Sequence, residues 1–171
     1  MRGAGAALLL SSLPWSARAG RVSVRSLSFD HLHTGERLSV DYAEGEAYLP
    51  DALARVDHVL RDHYSDEIHP IDPSLLDLLH EVQRRAGSRA PLQVISGYRS
   101  PQTNARLRAE GRGVGTRSLH MRGKAIDIRL ADVPSAAIRD MALSMQRGGV
   151  GYYARNDFVH LDVGRVRRWN G

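Results

Sequence analysis

Two six-residue stretches towards the C-terminal end alternate apolar and polar residues, and this alternation narrows what the chain can become. In Ala125-Ile126-Asp127-Ile128-Arg129-Leu130, the residues Ile126, Ile128 and Leu130 share one face, because successive side chains of a strand point to opposite sides. Asp127 therefore points the other way. In Phe158-Val159-His160-Leu161-Asp162-Val163 the apolar set is Val159, Leu161 and Val163, so His160 points away from it, together with Asp162. Two such strands covering one core present Asp127 and His160 on a common outer face. His120 stands before Asp127 across a turn that Gly123 permits, and it can fold back over that face.

Two imidazoles and one carboxylate, with a fourth position open, form the donor set of a catalytic zinc site and not of a closed structural one. An ion held there acidifies water and polarises a scissile carbonyl. The spacing alone leaves a second reading open. The chain has eight histidines, and lone His and Asp side chains on a strand are usually solvated or hydrogen-bonded locally. Cysteine is absent, so thiolate nucleophiles, disulfides and Cys-based zinc sites are excluded, and any metal must use His and carboxylate ligands.

The rest of the chain reads as α+β, a small antiparallel sheet with flanking helices. Residues 26 to 48 predict short strands, with a hairpin signal at His33-Thr34-Gly35-Glu36. Pro50 opens a helix that Leu53, Val56, Val59 and Leu60 carry to about His63. Asp72 is a natural N-cap, Pro73 the first helical residue, Leu75, Leu76, Leu79 and Val82 an apolar stripe, and Gly87 the stop. Leu92 to Ser96 predicts a strand, and Ser100-Pro101 a helix ending near Gly111. Pro134 to Gln146 predicts an amphipathic helix with Ile138, Met141, Ala142 and Met145 inward. Gly149–Tyr153 and Phe158–Val163 predict a closing hairpin.

The formal charge is +5, and Lys124 is the single lysine among 24 basic residues. Acidic residues are interspersed with the arginines, and no aromatic-basic interleaving of the kind that stacks bases occurs, which argues against nucleic acid. A weakly cationic surface suits anionic wall polymers. No apolar run is long enough to span a membrane. Residues 1–19 read as a signal peptide, with Arg2, a short apolar run from Ala6 to Leu10, and an A-x-A-like site at Ala17-Arg18-Ala19. Residues 20–171 are then one exported or periplasmic domain, expected to be a monomer.

Ser118-Leu119-His120-Met121-Arg122-Gly123-Lys124-Ala125-Ile126-Asp127 matches S-x-H-x-x-G-x-A-x-D. This resembles the zinc D-Ala-D-Ala carboxypeptidase and dipeptidase family, whose fold is shared with lysostaphin-type peptidases and the Hedgehog signalling domain. Phe158-Val159-His160 resembles the strand of the third ligand, and Ser96-Gly97-Tyr98-Arg99-Ser100 the family's arginine motif. The likeness runs from about Ser26 to Gly171 and is nearest to the murein endopeptidase K-like subgroup.

That resemblance implies one Zn²⁺ per chain on His120, Asp127 and His160, with Arg99 supporting the carbonyl oxygen as it becomes an oxyanion and Ser118 contacting substrate. The implied reaction is hydrolysis of cross-links between peptidoglycan stem peptides. Alternatives are a D,D-carboxypeptidase or dipeptidase on the same scaffold, or a non-catalytic wall-binding module. Relatives with an E-x-x-H motif place a glutamate three residues before the third ligand. The position here is Asp157, one methylene shorter, and it is the expected general base. Other branches use a histidine two residues before that ligand, where this chain has Phe158. Asp162 is expected to orient a ligand or an adjacent loop. His31 and His33 share one face of an early strand, where they either line the cleft or, as the preferred reading, form hairpin surface, and His58, His63, His69 and His80 read as exposed or packed residues on or beside helices.

Overall fold

The strongest local punctuation in the chain produces the helix it predicts. In the computed structural model, which describes residues 22–171, α2 spans Pro73–Ala86. Asp72 caps it, accepting from Ser74 N at 3.0 Å and from Ser74 Oγ at 2.6 Å. Gly87 ends it in the left-handed conformation at φ 64°, which a glycine adopts without a Cβ penalty. The signal-peptide reading of residues 1–19 lies outside the described residues.

The remaining elements are β1 (Val24–His31), β2 (Arg37–Glu44), β3 (Ala47–Tyr48), α1 (Pro50–Val59), β4 (Leu92–Ser96), α3 (Pro101–Ala109), β5 (Ala125–Arg129), α4 (Ser135–Met145), β6 (Gly149–Tyr153), β7 (Phe158–Asp162) and β8 (Arg167–Asn170). A short 3₁₀ turn, Leu119–Arg122, carries His120. The class is α+β, as expected, but the sheet is neither small nor purely antiparallel. It has eight strands in the order β3-β2-β1-β4-β5-β7-β6-β8. β1 runs parallel to β4, and β6 parallel to β8. Parallel neighbours need a long crossover. Between β1 and β4 that crossover contains α1 and α2, and period-2 patterning identifies strands without identifying their neighbours.

One core lies against the sheet. Leu27 and Phe29 of β1, Leu92 and Val94 of β4, Ile126 and Ile128 of β5, and Val159 and Leu161 of β7 bury themselves with Leu75, Leu76, Leu79 and Val82 of α2 and Ile138 and Ala142 of α4. Each fully buried Val, Leu, Ile or Phe among them contributes about 1.5–3 kcal/mol. Met141 and Met145 pack only partly against this core.

The end of α1 departs from its periodicity and matters for the site. The helix stops at Val59 with Leu60 as its cap, short of His63. Leu60 O accepts from Tyr98 N at 2.7 Å. A Cβ at Gly97 would stand 2.4 Å from that same carbonyl, so only glycine allows the two segments this close. Asp62 then accepts from Tyr64 N at 3.0 Å and from Ser100 N at 2.9 Å, tying the chain after α1 to the segment that carries Arg99.

Candidate metal centre and its cleft

Antiparallel pairing places Asp127 of β5 directly opposite His160 of β7. The row continues to Ser96 on β4, Gly151 on β6 and Trp169 on β8. With Ile126, Ile128, Val159 and Leu161 in the core, Asp127 and His160 emerge on the other face, as the alternation requires. The 3₁₀ turn brings His120 to them, and Gly123 ends that turn at φ 61°.

His120 Nε2 lies 3.1 Å from His160 Nδ1 and 3.3 Å from Asp127 Oδ1, and His160 Nδ1 lies 2.8 Å from Asp127 Oδ1. Tetrahedral ligands at about 2.0–2.1 Å from zinc stand roughly 3.3 Å apart, so this triangle has the size a zinc ion needs. The outer nitrogens agree with that reading. His120 Nδ1 donates to Gly97 O at 2.7 Å, and His160 Nε2 donates to Asp162 Oδ2 at 3.0 Å. Each contact leaves the inner nitrogen as the lone-pair donor, the arrangement metal-bound imidazoles use.

The electrostatics favour a cation at this point. Burial pushes the His120 pKa down and keeps the ring neutral. Burial works against charge on His160 too, but hydrogen bonds to Asp127 and Asp162 outweigh it and raise its pKa to about 9. Despite their own burial, Asp127 and Asp162 are held below the usual carboxylate range by these imidazole contacts, Asp162 also by Arg167. Two ionised carboxylates beside one neutral imidazole and one that readily takes up a proton make a site that positive charge stabilises.

Asp162 is anchored in turn. Arg167 reaches it through Nη1 at 2.9 Å and Nη2 at 2.6 Å, and the N–H groups of Gly149 and Gly164 donate at 3.0 and 2.8 Å. Arg167 therefore belongs to β8 and to the support of the metal centre. Beside it, the Trp169 ring lies over Gly151, where a Cβ would be 2.5 Å from the indole, and reaches His160 at a centroid distance of 5.0 Å. Sequence reasoning missed both roles, although the alternation of Arg167 and Trp169 was there to be read.

Arg99 is almost fully buried beside the triangle. Its Nη2 donates to Ser96 Oγ at 3.2 Å and stands 3.9 Å from Asp127 Oδ2. Its backbone N–H donates to His120 O at 3.2 Å, which locks the arginine segment to the 3₁₀ turn. Ser118 lines the same cleft, half-buried, at the start of that turn. The cleft has a volume of about 780 Å³ and holds His120, Asp127, His160 and Arg99.

Asp157 does not join them. It is exposed at a left-handed position of φ 51° before β7, and its Oδ1 accepts from Ser135 Oγ at 2.6 Å, at the start of α4. Its neighbours Asn156 and Phe158 line the cleft while Asp157, the expected general base, does not. Among the described residues Asp127 is the single carboxylate lining the cleft. His33 lines it, the alternative to hairpin surface, and so does His63, expected only to be exposed or packed beside a helix. Arg112 and Arg117 add basic rim.

Residues 19–169 match the family model described as peptidoglycan L,D-endopeptidase MepK. The chain is 43% identical over 165 residues to the peptidoglycan L,D-endopeptidase MepK of Escherichia coli (strain K12), covering 96% of this chain and 90% of that protein. It is 41% identical over 170 residues to the probable peptidoglycan L,D-endopeptidase MepK of Haemophilus influenzae, covering 98% and 91%.

Proposed function

The chain belongs to the peptidoglycan L,D-endopeptidase MepK family, and from that premise we propose that it is a zinc metallopeptidase that opens peptidoglycan cross-links outside the cytoplasm. The observation that carries the reading is the triangle of His120 Nε2, Asp127 Oδ1 and His160 Nδ1, each imidazole already committed through its other nitrogen. These three residues would hold the zinc. When bound, zinc supplies Lewis acidity, making water a better nucleophile at neutral pH and drawing electron density from a carbonyl oxygen.

The chain's own residues do the rest. Arg99, fixed by Ser96 and Asn104, presents guanidinium N–H groups beside Asp127, where a peptide carbonyl gains negative charge as its amide is attacked. Because Arg99 is held before substrate arrives, little reorganisation is needed as that charge develops. Ser118 at the cleft wall meets the peptide backbone. Asp162 and Gly97 O keep the two rings oriented throughout.

The relatives' names specify an endopeptidase, which weighs against the trimming of free chain ends. Export follows from the substrate, and no helix among the described residues is long and apolar enough to cross a membrane. Incubation of the zinc-loaded protein with cross-linked muropeptide dimers, read by mass spectrometry, tests the reading. Conversion of dimers to intact monomers is the expected result. Release of D-alanine alone, or binding to sacculi without any solubilisation, overturns it.

A further inference from the structure

Three histidines from two separate segments meet at the Arg99 side of the cleft. His31 closes β1, His33 follows it in the turn, and His63 lies in the loop after α1. The His33 and His63 rings stack with centroids 4.3 Å apart and planes 3° from parallel, and His31 meets His63 edge-on at 5.6 Å. His33 and His63 line the cleft, while His31 is fully buried behind them.

Their nitrogens are unusual. His31 Nδ1 accepts from the N–H groups of His33 at 3.3 Å and Thr34 at 3.4 Å, so the neutral ring carries its proton on Nε2. Among the described residues that Nε2 finds no protein partner, and neither does Nδ1 or Nε2 of His63, although all three atoms are buried. Buried polar groups are nearly always paired, so three unpaired nitrogens behind the wall of a cleft call for a partner from outside the chain.

The chemistry selects the kind of ligand. A cation does not suit the cluster, because His31 would meet it with an N–H and the other two rings stack instead of converging. An oxygen acceptor does suit it. The carboxylates whose charge reaches the cluster, Glu36 and Asp62, are engaged by Arg61 and by the N–H groups of Ser100 and Tyr64. Burial, the neighbouring His33 and His31, and the charge of Arg99 together hold His63 down to about 4, so it waits as a neutral ring.

We propose that His63, with His31 and His33, forms a specificity subsite that binds a free carboxylate of the peptide lying in the cleft. The inference rests on the endopeptidase reading, since a cross-linked stem peptide carries free carboxylates near the amide to be cut. It assigns to the cluster substrate selection and not the bond-breaking step.

The test compares a cross-linked muropeptide dimer having free carboxylates with the same dimer after amidation. His63→Phe preserves the flat ring between His33 and Tyr64 and removes both nitrogens. The parent is expected to show a KM at least about tenfold lower for the free-carboxylate dimer, the scale of one charged hydrogen bond. In His63→Phe both dimers should share the higher KM, with kcat within about threefold of the parent and unchanged zinc content. A parent indifferent to amidation overturns the proposal, as does a variant that keeps the preference or loses kcat at constant KM. Should His63→Phe not fold, His33→Phe is read by the same criteria. If the parent cleaves neither dimer, the endopeptidase reading fails separately, and the subsite is judged by imidazole ¹⁵N resonances. A shift on adding a free-carboxylate stem tetrapeptide, absent with its amide, supports the subsite, and no shift rejects it.

Discussion

Asp162 Oδ2 accepts from His160 Nε2 at 3.0 Å, and this contact decides which imidazole nitrogen faces Asp127 and His120. The carboxylate is itself fully buried and held by Arg167, so the ring orientation is supported from β8 as well as from β7.

Replacing Asp162 with Asn keeps the side-chain volume and removes the charge behind His160. Zinc affinity is expected to fall by about 10–100-fold, the usual cost of losing such a partner. Competition against a chromophoric chelator measures it, and an unchanged affinity would show that the strand and the Trp169 ring alone hold the imidazole.

Arg99→Gln should leave zinc content at the parent level and lower kcat by about 10²–10³, as expected when a donor to a developing oxyanion is lost. Metal analysis beside steady-state kinetics separates this from a disrupted centre. A variant with full kcat would place Arg99 in a purely structural role with Ser96 and Asn104.

Removing the metal should cost both activity and stability. His120→Ala is expected to bind no zinc and to lose at least about 10³ in kcat/KM. Chelation of the parent should lower its unfolding midpoint, since an ion bound only to the folded state at 100 times its Kd adds about 2.7 kcal/mol. His120→Ala should show no such response to chelator. Hydrolysis as fast as the parent's by His120→Ala would end the zinc mechanism.

Asp62 gives the fold a pH dependence of known sign. Burial alone would raise its pKa, but hydrogen bonds from Thr103, Ser100 and Tyr64 lower it to about 2. The folded-state value lies below the unfolded one, near 4, so the contribution is complete at neutral pH and disappears as pH falls from about 4 to about 2. Its size is about 2 kcal/mol. Urea unfolding at pH 7 should show Asp62→Asn less stable than the parent by about that amount, and the gap should close towards pH 2. A gap independent of pH would mean that packing, and not charge, is what Asn disturbs.

Asp157→Ala should keep kcat within about threefold of the parent and lose about 1 kcal/mol of stability through the broken bond to Ser135. A fall of 10² or more in kcat would return this carboxylate to the reaction.

Much of the site was legible because it is written in local periodicity. Asp127 and His160 had to share a face once their neighbours were apolar, and His120 was within reach of them across Gly123. The Asp72, Pro73 and Gly87 signals gave α2 both its ends. Spacing along a chain carries no direction through a turn, and at φ 51° Asp157 bonds Ser135 at the start of α4 instead of lining the cleft. α1 was predicted too long because its terminus is set by Tyr98 N bonding Leu60 O, a contact between residues far apart in sequence.

From sequence alone come the strand faces, the donor types, the exclusion of thiol chemistry and the polarity of the surface, since each follows from side chains a few residues apart. The tertiary structure alone decided the parallel placement of β1 beside β4 and of β8 beside β6, the anchoring of Asp162 by Arg167, and the meeting of His31, His33 and His63 beside the cleft. The physical reason is the range of the forces. Backbone periodicity acts over one or two turns, whereas burial and buried charge are satisfied by whichever groups the folded chain brings near.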